Sequence, residues 1–315
     1  MKILGTGSAI PKLEVTNDDL AKFLDTNDEW ISSRTGIKSR HILSEGETLT
    51  DLAAEATRQA LADAKVDAKD LDYIICHNIM NDRCIPGMSC IIQGIIGATC
   101  PCVDTNAACT GFIYALDHAD ALMKAGKANK ILIICAEQMS MMIDWERRES
   151  CVLFGDGAGA VVVSNEGEDC AVKVTACYTP ALNCNVKQGD TPFRKDTTTY
   201  DKLEMAGREV FKLATHNSCN DIQTVLDASH TTASDVKYFI LHQANLRIVE
   251  AIRGFLEQPE EKFPHNIEHR GNTSSASVLL LLDDLNKANK IQRGDKLVFS
   301  AFGAGFTSGA CLMTW

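Results

Sequence analysis

The chain has 315 residues, of which 45% are hydrophobic and 23% charged. That is enough apolar material for one large core or two smaller ones, which excludes a disordered chain and favours a compact enzyme over a peptide module. A formal net charge of −11 and a pI near 5.2 argue against nucleic acid as a partner and would repel an acidic protein unless a basic patch received it.

The first segment, MKILGTGSAIPKLE, opens with a single Lys and a short apolar run broken by Gly and Pro, unlike a secretory leader. Its GTGS lacks the Gly-Lys-Ser/Thr ending of a phosphate-binding loop. Further on, LTDLAAEATRQALADA (49–64) has helical periodicity and LDYIICHN (71–78) reads as a buried strand. A second helix, GFIYALDHADALMKAG (111–126), and a second strand, KILIICAE (130–137), follow. CVLFGDGAGAVVV (151–163) superficially suits a dinucleotide fingerprint, but VVV follows the glycines where that mechanism needs a helix, so the expectation is strand, tight turn, strand. No apolar run approaches the roughly 20 residues that cross a bilayer, and VLLLLDDL stops at two Asp. A cytoplasmic protein without membrane contact is expected.

The second half echoes the first in the same order. Tyr73–His77 (YIICH) corresponds to Tyr238–His242 (YFILH), and the helix opening at Cys109 to one near Ser274. Asn129–Ile133 then corresponds to Asp295–Phe299, and FGDGAGAVVV at Phe154 to FGAGFTSGACLM at Phe302. Two fused copies of one α/β unit explain this, with halves at 1–165 and 166–315 and an irregular insertion over about 179–202. The thirteen cysteines are scattered through apolar stretches, which points to buried thiols rather than a disulfide framework, and the CPC at Cys100–Cys102 has no second pair at zinc spacing. No metal is expected.

Three residues carry chemical context. Cys109 stands after small residues and just before a helical pattern, where helix dipole and free N–H groups would favour thiolate, so it is the candidate nucleophile. His242 closes an apolar strand, at the end where α/β sites form; its first-half equivalent, His77, lacks such context and reads as a core histidine. Asn272 in RGNTSSAS reads alone as part of a helix-capping segment, although a buried Asn amide also offers two donors for a carbonyl oxygen becoming an enolate.

Together with GTGSAIP, DEWISSRTGIKSRH from Asp28, VDTNAACTGF around Cys109, FGDGAGA at Phe154, EVFK at Glu209, LHQANLRI at His242, RGNTSSASV at Asn272 and AFGAGFTSG at Ala301, the chain resembles the β-ketoacyl-acyl-carrier-protein synthase III enzymes over nearly its whole length. The resemblance implies a thiolase-like fold, two duplicated α/β halves in a layered αβαβα core, working as a homodimer. It implies that an acyl-CoA primer acylates Cys109, and that His242 and Asn272 bind the thioester carbonyl of malonyl-acyl carrier protein, whose decarboxylation gives the attacking carbanion. Backbone N–H groups of Cys109 and Ala304 would form the oxyanion hole. Trp30 and Arg148 would flank the CoA adenine, with Arg34 near its phosphates or ring, and Ile85 would reach across the dimer to limit the primer pocket. No cofactor is implied beyond the CoA thioesters themselves.

For carrier-protein docking, Lys212 and Arg247 match the family's basic patch, whereas Gly254-Phe255 replaces its later lysines and Arg253 is the substitute within reach. A starter-type ketosynthase or acyltransferase of secondary metabolism, using malonyl-CoA or a specialised carrier, is therefore the alternative. Thiolases and elongating synthases carry His where Asn272 stands, and hydroxymethylglutaryl-CoA synthases need an upstream Glu that HNIMNDRC lacks. A Cys-His-Asn hydrolase would use the same residue types but needs a basic His paired with thiolate.

Overall fold

Alternation along the strands sets the layers. The computed structural model describes residues 1–187, 189–198 and 202–315. Its strands in chain order are β1 Lys2–Ala9, β2 Leu13–Thr16, β3 Ser39–Ile42, β4 Tyr73–His77, β5 Cys102–Thr105, β6 Lys130–Gln138 and β7 Asp156–Ser164. There follow β8 Ala171–Thr179, β9 Leu182–Asn183, β10 Glu204–Met205, β11 Tyr238–Leu241, β12 Lys296–Gly303 and β13 Gly305–Thr314. The helices are α1 Asn17–Ala21, α2 Asp28–Thr35, α3 Leu49–Ala64, α4 Met88–Ile96, α5 Gly111–Lys124, α6 Arg148–Cys151, α7 Gly207–Ala228, α8 Leu246–Leu256, α9 Ile267–Arg270 and α10 Ala276–Lys287.

One sheet has the order β1-β7-β6-β4-β5 and the other β11-β12-β13-β8. The halves superimpose in logic: β4 runs parallel to β6 and β6 antiparallel to β7, just as β11 runs parallel to β12 and β12 antiparallel to β13. The strands β4, β6, β7, β11, β12 and β13 are buried on both faces, and their side chains alternate between them. On β6, Ile131, Ile133 and Cys135 face a central core shared with α5 and α10, while Leu132, Ile134 and Ala136 face an outer core with α3 and α4. On the other sheet, Leu297 and Phe299 face the central core, where Phe112 of α5 meets Phe299 edge-on at 5.6 Å, and Val298 faces α7 and α8. The result is the five-layered αβαβα thiolase-like arrangement, with α5 and α10 as its middle layer.

One expectation changes. The glycine-rich 151–163 stretch holds no hairpin: Cys151 ends α6, and Asp156–Ser164 is one continuous strand. Its glycines serve packing, since a Cβ on Gly159 would overlap Leu279 of α10. Residues 188 and 199–201 of the expected 179–202 insertion lie outside the described residues; of the rest, β9 pairs with β10 and Thr191 bridges Arg194 in an otherwise irregular segment. All thirteen cysteines are free, eight of them buried. Among the described residues no helix is long and apolar enough to cross a membrane.

Candidate active site

The loop leaving β5 reaches a 3-10 turn at Ala108–Thr110 and passes straight into α5. Ala108 takes φ +48°, a left-handed conformation that a non-glycine residue holds only when its surroundings dictate it. They do so here on both sides. The N–H of Ala107 donates to Nε2 of His77 at 2.8 Å, and the Thr307 hydroxyl donates to the Ala107 carbonyl at 3.2 Å. Behind the elbow, a Cβ on Gly303 would sit 2.6 Å from the Cys109 nitrogen, so the β12–β13 turn lies directly against it.

Cys109 is 7% exposed. Burial, and then the negative charge of Glu137, push its thiol up to about 12, while the Ser274 hydroxyl pulls the other way. The expected thiolate is thus corrected: at rest Cys109 is a thiol, because desolvation of the charged form outweighs what the helix start offers.

His242 follows β11, its N–H donating to Ser300 O at 2.8 Å. The ring is 2% exposed, stands edge-on to Phe302 at 5.2 Å and is held through Nδ1 by Ser277 Oγ at 2.7 Å. Burial lowers its pKa to about 3, so it is neutral. Ser277 Oγ also accepts the Gln243 N–H at 3.2 Å, which fixes the hydroxyl where it engages the Nδ1 edge of the ring.

Asn272 is fixed by a bridge to the Phe154 segment: its N–H donates to Leu153 O at 2.8 Å and its carbonyl accepts from Gly155 at 3.1 Å. Its Oδ1 accepts the Ser274 N–H at 2.9 Å, so the amide presents its two N–H donors as the remaining polar group. It does not cap α10, whose N-cap is Ser275.

Cys109, His242, Asn272 and Ala304 all line one cavity of about 980 Å³, walled further by Met139, Met142, Leu203, Met205, Val210 and Phe211. The cavity thus gathers a buried thiol, a neutral imidazole and a side-chain amide on a lining that also carries apolar side chains. Residues 103–179 match the family described as 3-oxoacyl-acyl-carrier-protein (ACP) synthase III, and residues 226–315 match the description of its C-terminal part. The β-ketoacyl-acyl-carrier-protein synthase III of Clostridium novyi (strain NT) is 40% identical over 321 residues, covering 100% of this chain and 99% of the relative. The crystal structure of the synthase III of Aquifex aeolicus VF5 is 40% identical with a TM-score of 0.93, covering 100% and 99%. That of Thermus thermophilus is 37% identical, also at 0.93, with the same coverage. The chain belongs to the β-ketoacyl-acyl-carrier-protein synthase III family. It is a condensing enzyme of the acyltransferase class.

The other sequence-derived positions of this synthase III lie outside the cavity lining. Trp30 sits between two guanidinium groups, Arg34 at 4.7 Å and Arg148 at 4.8 Å from the ring centroid, and Arg148 also donates to Asp25 O at 2.7 Å. Arg148 thus packs on the ring expected, with it, to flank the CoA adenine. Ile85 is 83% exposed on the single chain. Lys212 and Arg247 are exposed on α7 and α8. Arg253 forks onto Glu250 Oε2 at 2.8 and 2.6 Å, so its charge is spent within the chain.

Sequence reasoning missed the residues that support the three. His77 is a core histidine as expected, yet it holds the elbow. Glu137 carries no motif of its own, and Ser274 and Ser277 fall within RGNTSSASV without any chemical role being read from them. The repeat was the available signal for His77, being the strand-end equivalent of His242, and a Glu closing the apolar run KILIICA was the signal for Glu137.

Proposed function

We propose that this synthase condenses an acyl-CoA primer with malonyl-acyl carrier protein through an acyl-Cys109 intermediate, initiating fatty-acid synthesis. The observation that carries the reading is the convergence of Cys109, from the half 1–165, with His242 and Asn272, from the half 166–315, on one apolar cavity. Cys109 attacks the thioester carbonyl and CoA departs, while backbone N–H groups of Cys109 and Ala304 stabilise the carbonyl oxygen as it gains charge. The malonyl thioester then enters, and Nε2–H of His242 and the amide of Asn272 hold its carbonyl. Loss of CO₂ leaves an enolate on that oxygen. Two neutral donors suit this step, because an imidazolium would hand the carbanion a proton and end the reaction, whereas a ring with its pKa near 3 cannot. The carbanion attacks the acyl-Cys109 carbonyl and the β-ketoacyl product leaves on its carrier.

The same neutral pair counts against a hydrolase, which requires thiolate beside imidazolium. The thioesters supply all the activation, so the step calls for no metal or further cofactor. In this reading the protein is a cytoplasmic homodimer, Trp30, Arg34 and Arg148 receive CoA once Arg148 swings off the ring, and Ile85 reaches the partner's primer pocket. The alternative, a starter-type enzyme of secondary metabolism taking malonyl-CoA or a specialised carrier, is favoured by one observation: Arg253 is committed to Glu250.

Intact-mass spectrometry after incubation with a panel of acyl-CoAs, followed by malonyl-acyl carrier protein or malonyl-CoA, tests both. An acyl mass on Cys109 discharged only by a malonyl thioester supports condensation and names primer and donor. An adduct discharged by water alone, or none, rejects it.

A further inference from the structure

The thiol proton has to leave when Cys109 attacks, and His242, neutral with Nδ1 engaged by Ser277, is a poor sink for it. Beneath the sulfur lies a different set of groups. Ser274 Oγ is 3.3 Å from Cys109 Sγ and also 3.3 Å from Glu137 Oε1. Ser274, Ser275 and Glu137 are all fully buried. Ser274 takes φ +52°, so the backbone is bent to aim this hydroxyl. Its hydroxyl has one hydrogen and two polar neighbours. That hydrogen can be directed to the sulfur or to the carboxyl, so the hydroxyl bridges Cys109 Sγ and Glu137 Oε1.

We infer that Ser274 and Glu137 form a relay that takes the Cys109 proton during acylation and returns it when condensation frees the cysteine. As Sγ bonds to the acyl carbon, its hydrogen passes to Ser274 Oγ and the hydroxyl hydrogen passes to Glu137 Oε1. CoA leaves as thiolate and takes a proton from solvent. In the second half-reaction the carbanion bonds to the acyl carbon, the C–S bond breaks, and the proton on Glu137 returns through Ser274 to Sγ. The sum is one solvent proton consumed, on CoA.

The surroundings fit a carboxylate that must stay in place while it takes up and gives back a proton. Oε2 accepts the Ile79 N–H at 3.1 Å, Ser275 Oγ donates to Oε1, and His77 Nδ1 stands 3.2 Å from Oε1. His77 Nε2 accepts from Ala107, so the imidazole whose Nδ1 stands beside Glu137 also braces the nucleophile elbow. The titratable groups facing Glu137 are His77 and Cys76 from β4, Cys135 from its own strand, and Cys109. Ser274 touches the reacting sulfur, and Glu137 is a positioning residue acting through it.

The inference rests on Cys109 as nucleophile, so its test uses a reaction that does not depend on condensation. Iodoacetamide alkylates Cys109 by forming an S–C bond and expelling iodide, and it needs the same proton removed. Its rate at the Cys109 peptide, read by mass spectrometry from neutral to alkaline pH, is compared in the intact protein, Glu137→Gln, Ser274→Ala and the double variant. The relay predicts a loss on the order of 10²-fold at neutral pH in each single variant, recovered as hydroxide takes over, and no further loss in the double variant. Wild-type rates in either single variant, a slowing independent of pH, or additive losses overturn the relay. Should Glu137→Gln not fold, Ser274→Ala alone decides between the pH-dependent loss and these outcomes. Acetyl-CoA run in parallel separates the two readings: a wild-type protein that alkylates at Cys109 yet is acylated by no acyl-CoA rejects the condensing function and leaves the relay to be judged by alkylation.

Discussion

Gly111 packs directly on the imidazole of His77, so closely that any Cβ at 111 would overlap the ring. The first residue of α5 is therefore a glycine for steric reasons, and the histidine that accepts the Ala107 N–H is pinned from below. Gly111→Ala must displace either the ring or the helix start, and overpacking of this kind costs about 1–3 kcal/mol. A lower denaturation midpoint together with slower Cys109 alkylation is expected. A destabilised variant that alkylates at the normal rate would show that His77 does not govern the elbow.

Under the proposed mechanism Cys109 is acylated in the first half-reaction, whereas Asn272 acts only in the second. Asn272→Ala removes two donors that only the malonyl thioester uses, while Oδ1 has merely held the Ser274 N–H. Loss of one such donor typically costs about 10²–10³ in rate. The variant is expected to accumulate acyl-Cys109 on intact-mass spectra and to discharge it about that much more slowly when malonyl thioester is added. Loss of acylation itself would place Asn272 in the first half-reaction instead.

The buried His242 ring makes a prediction about stability. Its pKa is lowered to about 3 from an ordinary 6.5. Between those values the unfolded chain holds a proton that the folded chain excludes, so this contribution is complete above about 6.5 and is lost progressively as pH falls toward 3. Chemical denaturation in that interval should give a midpoint that drops with pH more steeply for the natural protein than for His242→Gln, which has nothing to titrate there. Equal slopes would mean that the ring protonates in the folded state.

Much of this architecture is legible in the chain because its strands are two-faced and apolar, and the ordered echo between Tyr73–His77 and Tyr238–His242 states the duplication outright. The three converging residues are also legible, since each sits at an element end that the pattern marks. What escaped is contact between distant segments. The glycines of 155–160 suggested a turn because local propensity favours one, but helix α10 requires flat backbone beside Leu279 and that tertiary demand prevails. The thiolate expected from a helix start was overruled by burial, which no local window reports. Glu137 and Ser274 lie 137 residues apart, and only the fold makes them neighbours.

Under the proposed function, carrier docking turns on one ion pair. Lys212 and Arg247 are exposed, while Arg253, the residue standing nearest to the missing family lysines, donates through Nε and Nη2 to Glu250. A guanidinium already paired adds little field beyond itself, and on a chain of net charge −11 any weakening of the basic patch leaves an acidic carrier repelled. Charge reversal at Lys212 should therefore raise KM for malonyl-acyl carrier protein on the order of tenfold more than KM for malonyl-CoA, with the gap narrowing as salt is added. Arg253→Ala should move the same ratio by less than about threefold, in keeping with the small worth of a rim charge that is already paired. Steady-state kinetics with the two malonyl donors at low and high ionic strength read both numbers. If Lys212→Glu leaves the ratio at one, carrier docking does not use this face, and the alternative of a CoA-bound or specialised donor becomes the better account of the enzyme.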